Sequence, residues 1–184
     1  SAAAPTECQR LKTQRAGHTA TVLKNGKVFI AGGYNFLQGR MERVALSEAE
    51  FFNPATNAFE AAPRMAIGEG GRTWIPKAFH TATLLPSGQV LLWGGETYTG
   101  GTNNYPVPAA GILVYLADEG RYGTVKNRVD PPAIARTRHQ AALDANGKVL
   151  IVGGETRTAS APAPLVPTDK VEWFDPVNNA YLPV

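Results

Sequence analysis

The chain of 184 residues has a single cysteine, Cys8, so it cannot form an internal disulfide, and cysteine usage says little about its redox compartment. It also lacks any apolar run that approaches the length of a membrane-spanning helix, and no secretory signal peptide is present. We therefore expect no membrane span.

Charged residues are scarce, at 18% of the chain, and the formal net charge is only +3. The lysines and arginines are scattered, whereas a nucleic-acid-binding surface needs them clustered on one face. We therefore expect no nucleic-acid partner. Hydrophobic residues make up 43% of the sequence, which is enough for a chain of this length to bury a sizeable core.

The sequence does contain a threefold repeat. Three histidines each stand fourteen residues before the first glycine of a Gly-Gly pair, and no gap is needed to align the segments. The aligned segments begin at Arg15, Lys77 and Arg136 and read RAGHTATVLKNGKVFIAGG, KAFHTATLLPSGQVLLWGG and RTRHQAALDANGKVLIVGG. A period of about 60 residues is typical of a repeat architecture built from one supersecondary unit.

Each repeat contains the pattern of two β-hairpins. The first turns are Asn25-Gly26, Ser87-Gly88 and Asn146-Gly147, and each leads into a second arm that is apolar on both faces: KVFIA, QVLLW or KVLIV. The second hairpin turns at Asn53-Pro54 in unit one and at Asp175-Pro176 in unit three. Aromatic pairs spaced by seven residues flank these turns: Phe52 and Phe59, Tyr115 and Tyr122, Phe174 and Tyr181.

A four-stranded antiparallel sheet with two apolar faces cannot bury both by itself, so the units must stack on one another. Stacking twisted four-stranded sheets around an axis gives a β-propeller. We therefore predict an all-β fold of three blades, at residues 15–75, 76–135 and 136–184, after an irregular N-terminal segment at 1–14.

The sequence resembles kelch-repeat proteins from about Arg15 to Tyr181. The features that carry the resemblance are the basic residue and histidine before the first strand, the double glycine, the aromatic-x-Pro turn and the late aromatic. Two departures are Lys77 in place of the usual arginine and Leu116-Ala117 in place of the Asx-Pro turn. The resemblance implies kelch-type propeller blades, as in bacterial kelch arrays and the central domain type of galactose oxidase.

Three blades are too few for a closed ring, since closed propellers typically have four to eight. We therefore expect either a partial propeller or half of a six-bladed ring. The corresponding partners are the remaining blades of the same parent protein or a second copy in a homodimer.

Irregular segments at 34–47, 97–110 and 156–168 occupy the same place in each unit, so we expect them to emerge on one rim, where binding surfaces of repeat proteins commonly form. Tyrosine and asparagine provide contact area and adaptable hydrogen bonds. The predicted contact residues are Tyr34, Asn35, Phe36, Tyr98, Asn103, Asn104 and Tyr105.

Two sets of charged residues recur at equivalent positions of the repeats. Arg15, Lys77 and Arg136 either form a positive channel mouth or bind neighbouring backbone as scaffold. Glu96 and Glu155 each follow a double glycine and are candidates for the same channel mouth. The three histidines lie at equivalent positions of different blades, which favours a scaffold role over a shared zinc site, so we predict no metal and no cofactor.

These observations predict a protein- or glycan-binding interaction module that presents rim loops and is non-catalytic by itself, with no catalytic residue assigned. Alternatively, the chain is part of a carbohydrate-active kelch enzyme, either sialic-acid epimerase-like or galactose-oxidase-like, because kelch relatives include both. A secreted or periplasmic location is expected from the resemblance alone.

Overall fold

The computed structural model describes residues 9–37, 39–101, 104–124, 134–158 and 163–182, and these form an all-β structure with three four-stranded antiparallel sheets. The prediction of three such sheets is confirmed. Two-stranded hairpins are added between and beside them. No helix in these ranges is long and apolar enough to cross a membrane.

The strands follow one another in the same order in each unit. The first unit contains β1 (Thr19–Val22), β2 (Val28–Ala31), β3 (Tyr34–Phe36), β4 (Arg43–Ala45), β5 (Ala49–Asn53) and β6 (Ala58–Ala62). A connecting segment then contains β7 (Ala66–Ile67), a short 3-10 turn (Glu69–Gly71) and β8 (Thr73–Trp74). The second unit contains β9 (Thr81–Leu84), β10 (Val90–Trp93), β11 (Glu96–Tyr98), β12 (Pro106–Pro108), β13 (Ile112–Leu116) and β14 (Arg121–Thr124). The third contains β15 (Gln140–Leu143), β16 (Val149–Val152), β17 (Glu155–Thr156), β18 (Val166–Pro167), β19 (Val171–Asp175) and β20 (Ala180–Leu182).

Four strands of each unit form a meander, which we call a blade. Blade 1 has the order β1-β2-β5-β6, blade 2 the order β9-β10-β13-β14, and blade 3 the order β15-β16-β19-β20. The remaining two strands of each unit form a separate hairpin between the second and third strands of the blade. The inserted segments therefore leave each blade at the same end.

The turn of the second hairpin explains why blade 2 tolerates its departure from the Asx-Pro pattern. Blades 1 and 3 place Asn57 and Asn179 in the left-handed region, at φ 52° and 58°. Blade 2 places Gly120 at the same position, with φ 60°. Because glycine adopts this conformation without strain, the turn closes even though Leu116-Ala117 replaces the Asx-Pro pair.

Two hydrophobic cores lie between the three blades, and β10 contributes to both. Val90 and Leu92 pack into the core with blade 1, whereas Leu91 and Trp93 pack into the core with blade 3. All four side chains are buried. The alternation follows from the two-residue period of a strand, and it shows why β10 is apolar at every position.

The outer faces of the two end blades are only partly covered. Trp93 of β10 is 1% exposed, but Val152, at the same position of β16, is 40% exposed. On the outer face of blade 1, Ile30 is buried but Val22 is 61% exposed. A blade therefore needs a neighbour on each side for full burial, and among the described residues only blade 2 has both.

The repeated histidines link one blade to the next. His80 Nε2 lies 3.0 Å from the hydroxyl oxygen of Thr19, and His139 Nε2 lies 3.0 Å from that of Thr81. Burial, reinforced by Lys77, lowers the pKa of His80 to about 3. Burial, reinforced by Arg136, lowers the pKa of His139 to about 4. Both imidazoles are therefore neutral at pH 7 and act between blades, as the scaffold interpretation expects.

Candidate functional site

The three inserted hairpins, β3–β4, β11–β12 and β17–β18, form a continuous surface that we call the hairpin rim. Residues of β4 contact residues of β11. The side-chain amide of Asn104 donates to the carbonyl of Arg43 at 2.6 Å, and Arg157 donates to the carbonyl of Pro106 at 2.5 Å. Hairpins from different blades are thus joined directly to one another.

Aromatic residues from two blades meet on this rim around Tyr34. Its ring centroid lies 5.7 Å from that of Phe36, 5.5 Å from that of Phe79 and 6.2 Å from that of Tyr98. The Arg43 guanidinium stacks over the Tyr34 ring at 4.9 Å. We call Tyr34, Phe36, Phe79 and Tyr98 the aromatic cluster. Centroid separations of this size are those of favourable aromatic pairs.

Arg138 joins two carboxylates of the rim. Its guanidinium contacts Glu155 at 2.5 Å and Glu96 at 3.1 Å, and it lies 4.5 Å from the centroid of the Phe79 ring. Glu96 is fully buried, and the Tyr98 hydroxyl donates to it at 2.8 Å. Burial, together with this carboxylate, raises the pKa of Tyr98. The two glutamates related by one blade are therefore held by a single cation.

The residues before the histidines form a backbone ladder beneath the cluster. Phe79 N–H donates to the Gly17 carbonyl at 2.8 Å, and Arg138 N–H donates to the Phe79 carbonyl at 3.0 Å. All three residues have positive φ, at 63° for Gly17, 52° for Phe79 and 55° for Arg138. Such a conformation in a phenylalanine or an arginine is strained and is held by its surroundings. It directs these two side chains onto the rim.

Of the predicted contact residues, the structure brings Tyr34, Phe36 and Tyr98 together. The side-chain oxygen of Asn35 accepts from the N–H of the adjacent Phe36 at 2.7 Å, within the same hairpin. Tyr105 is tied to the loop of β11, where its N–H donates to the Thr99 hydroxyl at 3.1 Å. Asn104 lies between two hairpins, and Asn103 lies outside the described residues.

The cations before the histidines are buried and occupied with backbone. Arg15 donates to the carbonyls of Gly32 and Glu48 at 2.7 and 2.8 Å. Arg136 donates to the equivalent carbonyls of Gly153 and Lys170 at 3.0 and 2.8 Å.

Lys77 does the same with its ammonium group, at 2.8 Å from the carbonyl of Gly94 and 3.0 Å from that of Gly111. Burial lowers its pKa to about 8. The geometry of all three cations favours the scaffold interpretation over the channel-mouth one. Arg43 and Arg138 reach the rim instead, as does Arg157, which follows β17.

The sequence did not identify Phe79, Arg43 or Arg138 as site residues, although all three lie on the rim. The repeat did carry a signal for two of them. Gly17 stands in the same column as Phe79 and Arg138, and a glycine directly before the histidine indicates a left-handed backbone at that position. Nothing in the spacing of Arg43 indicates that it covers Tyr34.

The rim ends in an exposed apolar hairpin tip, formed by four residues of β3, β4 and their turn. These residues are Phe36, Leu37, Met41 and Val44. Met41 is 89% exposed, and the other three are between 37% and 43% exposed. Scattered single apolar residues on a surface are ordinary, whereas four on one hairpin form a patch of the kind that marks an interaction site.

In the described ranges, no group of three or more histidine, cysteine, aspartate or glutamate side chains is arranged to hold a metal ion.

Comparison with protein families places a Kelch motif at residues 14–66, which covers blade 1 and the hairpin β3–β4. A search of curated proteins found no match for this chain. The chain therefore contains a kelch motif, and the three blades have the structure that this motif implies.

Proposed function

We propose that this chain is a binding scaffold that contacts a protein partner through the hairpin tip and the adjacent aromatic cluster. A kelch repeat domain is generally a binding scaffold, which supports the first half of the proposal. The observation that carries the second half is the concentration of exposed apolar side chains on one hairpin, with Met41 almost fully exposed. Large apolar patches beside aromatic and arginine residues are typical of protein interfaces.

The patch favours a protein over a glycan. Leu37, Met41 and Val44 offer neither a flat ring nor a hydrogen-bonding group to a sugar. A protein partner instead covers such a tip with apolar side chains of its own. The aromatic cluster, with Arg43 and Arg138 beside it, then supplies the kind of residues that dominate binding energy in interfaces.

The enzyme alternative finds less support in the geometry. An acid–base pair must exchange protons with a substrate. Glu96 is fully buried and bound by Tyr98 and Arg138, and Glu155 is bound by the same arginine. We therefore propose a non-catalytic role for the rim.

The experiment compares three proteins: the unchanged chain, Leu37→Glu with Met41→Glu, and the control Val177→Glu. Val177 is 88% exposed in the β19–β20 turn, so the control adds a charge at an isolated apolar residue far from the rim in sequence. Partners are captured from an extract of the source cells with a photo-reactive residue at position 41. The captured protein is then purified and titrated by calorimetry.

We expect the double glutamate variant to weaken binding by about tenfold or more, because charges would be desolvated at the interface, and Val177→Glu to leave it unchanged. Equal binding by all three proteins would overturn the proposal. The glycan-binding form of the proposal would instead be supported if the chain bound neutral or sialylated sugars on a glycan array. That binding would have to require Tyr98 but not Met41.

We also propose that further kelch blades cover the open faces of blades 1 and 3, from either the same parent protein or a second copy. The internal interfaces support this, since each apolar face that has a neighbour is covered by the opposite face of the next blade. Light scattering distinguishes the two sources, because a monomer of 19.6 kDa in solution excludes the homodimer. The predicted secreted or periplasmic location rests on the resemblance alone and stays a prediction.

A further inference from the structure

A groove lies away from the hairpin rim, between the segment that connects blades 1 and 2 and the outermost strand of blade 2. It has a volume of about 460 Å3. One wall is the β7–β8 hairpin with its glycine-rich turn, and the other is the start of β14. Ligand sites are typically clefts of this size, with a few polar groups that fix orientation.

Trp74 forms an open aromatic wall of this groove. Its side chain is 59% exposed, although tryptophan is normally among the most buried residues by area. Arg64 stacks on the ring, with its guanidinium 4.5 Å from the ring centroid. The same guanidinium is paired with Glu48 at 2.5 Å, which fixes it in place. The indole is therefore oriented by contacts that leave much of its surface free.

A second arginine lies on the opposite wall. Arg121 lines the groove and is paired with Glu119 at 2.5 Å through the side of its guanidinium that faces its own turn. A guanidinium has five N–H donors, and a single carboxylate oxygen leaves several of them available. Two arginines with spare donors on facing walls of a groove match a ligand that carries carboxylate or sulfate groups.

The floor of the groove is largely glycine backbone, with the side chain of Arg72 beside Gly70. Gly68, Gly70 and Gly71 have φ of 81°, 66° and 64°, and a Cβ at Gly70 or Gly71 would meet its nearest neighbour at 3.8 or 3.7 Å. The space beside this turn is therefore open. Together, a free indole surface, two guanidiniums and exposed backbone suit a ring with an apolar face and an acidic substituent.

We propose that the Trp74 groove binds an acidic saccharide, with a pyranose ring on the indole of Trp74 and its carboxylate between Arg64 and Arg121. The C–H face of a pyranose is apolar and stacks on an aromatic ring, and the carboxylate accepts from the arginines. An acidic peptide would also satisfy the arginines, but it has no ring that needs an open indole together with a glycine-lined floor. This site does not depend on the proposed function of the hairpin rim.

The experiment follows the indole N–H signal of Trp74 by NMR, assigned by its loss in Trp74→Phe. The probe is trigalacturonic acid, the neutral control is maltotriose, and the peptide control is hexaglutamate. Arg121→Gln tests the groove, and Arg40→Gln is the matched control, because Arg40 is also an exposed arginine paired with a glutamate two residues away, Glu42, and it does not line the groove.

We expect a saturable shift with trigalacturonic acid, weakened about fivefold or more by Arg121→Gln and less than about twofold by Arg40→Gln. Trp74→Ala, a change at an exposed position, is expected to abolish binding measured by calorimetry. The absence of a saturable shift up to about 10 mM probe, equal binding of maltotriose, or tighter binding of hexaglutamate would each overturn the proposal. Leu37→Glu with Met41→Glu must leave this binding intact, which separates the two sites.

Discussion

Lys77 and Leu113 occupy in blade 2 the two positions at which the flanking blades place an arginine and a glutamate. Arg15 pairs with Glu50 at 2.7 Å in blade 1, and Arg136 pairs with Glu172 at 2.5 Å in blade 3. In blade 2 the ammonium of Lys77 keeps only the contacts to two backbone carbonyls. The lysine at position 77 is therefore accompanied by a leucine at position 113, so blade 2 lacks the carboxylate that a guanidinium would need.

Lys77→Arg alone should lower the free energy of unfolding by about 2 kcal/mol or more, because the second guanidinium nitrogen would be buried beside Leu113 without an acceptor. Adding Leu113→Glu should recover a large part of that loss. Urea unfolding of the two single variants and the double variant gives the coupling energy between the positions. The reverse exchange, Arg136→Lys with Glu172→Leu, is the matched control in blade 3. Additive effects in both cycles would contradict this account.

The hydrogen bond between His139 Nε2 and the Thr81 hydroxyl should stabilise the contact between blades 2 and 3. Thr81→Val keeps the shape of the side chain but leaves the buried Nε2 of His139 without its partner. We expect the free energy of unfolding to fall by about 1–3 kcal/mol, measured by urea unfolding. Thr83→Val is the control on the same strand, since its hydroxyl has no hydrogen bond within the described ranges. Equal losses from both variants would show that the Thr81 hydroxyl does not stabilise the contact between blades through its hydrogen bond.

Stability should fall as the pH decreases from 6.5 to 5, because His80 and His139 have pKa values near 3 and 4 when folded and 6.5 when unfolded. In this window the unfolded chain binds more protons than the folded protein, so the free energy of unfolding rises with pH. The slope is expected to approach about 1.4 kcal/mol per pH unit for each histidine. His139→Gln, which cannot be protonated, should reduce the slope by about one proton. A stability that is independent of pH between 5 and 6.5 would contradict the lowered pKa values.

The sequence predicted the blades well because their determinants are local and repeated. The Asn25-Gly26 turn, the apolar second arm and the double glycine each specify one hairpin without reference to the rest of the chain. The two-sided burial of β10 followed from the absence of polar residues in VLLW.

The sequence predicted which segments form the rim, but not the side-chain contacts within it. That Tyr34 and Tyr98 lie on one surface followed from their equivalent places in the repeat. That Arg43 covers Tyr34, or that Arg138 joins Glu96 to Glu155, depends on loop conformations that no repeat encodes. The channel-mouth interpretation of Arg15, Lys77 and Arg136 depended on charge alone, and the sequence does not show that backbone carbonyls are close enough to occupy these groups.

Gly94→Ala should be far more destabilising than Gly153→Ala, although both glycines begin the same double-glycine motif. Their φ angles, 57° and 62°, are nearly equal, so the backbone strain of about 1–2 kcal/mol is shared. A Cβ at Gly94 would lie 2.7 Å from the Arg136 carbonyl and 2.8 Å from the His139 ring, both in the next blade. At Gly153 the nearest atom is 3.6 Å away, in a loop of the same blade. The difference between the two variants therefore measures the packing of a following blade.

Urea unfolding of this chain should give a loss of about 1–2 kcal/mol for Gly153→Ala and at least about 2 kcal/mol more for Gly94→Ala. Gly26→Ala, where a Cβ meets nothing within 4 Å, controls for the strain alone. Equal losses at positions 94 and 153 would show that the clash across the interface is absorbed by relaxation. If another blade covers blade 3, in a longer parent chain or in a dimer, Gly153→Ala should become as damaging there as Gly94→Ala is here. The same substitution therefore tests whether the open face of blade 3 is covered in the complete assembly.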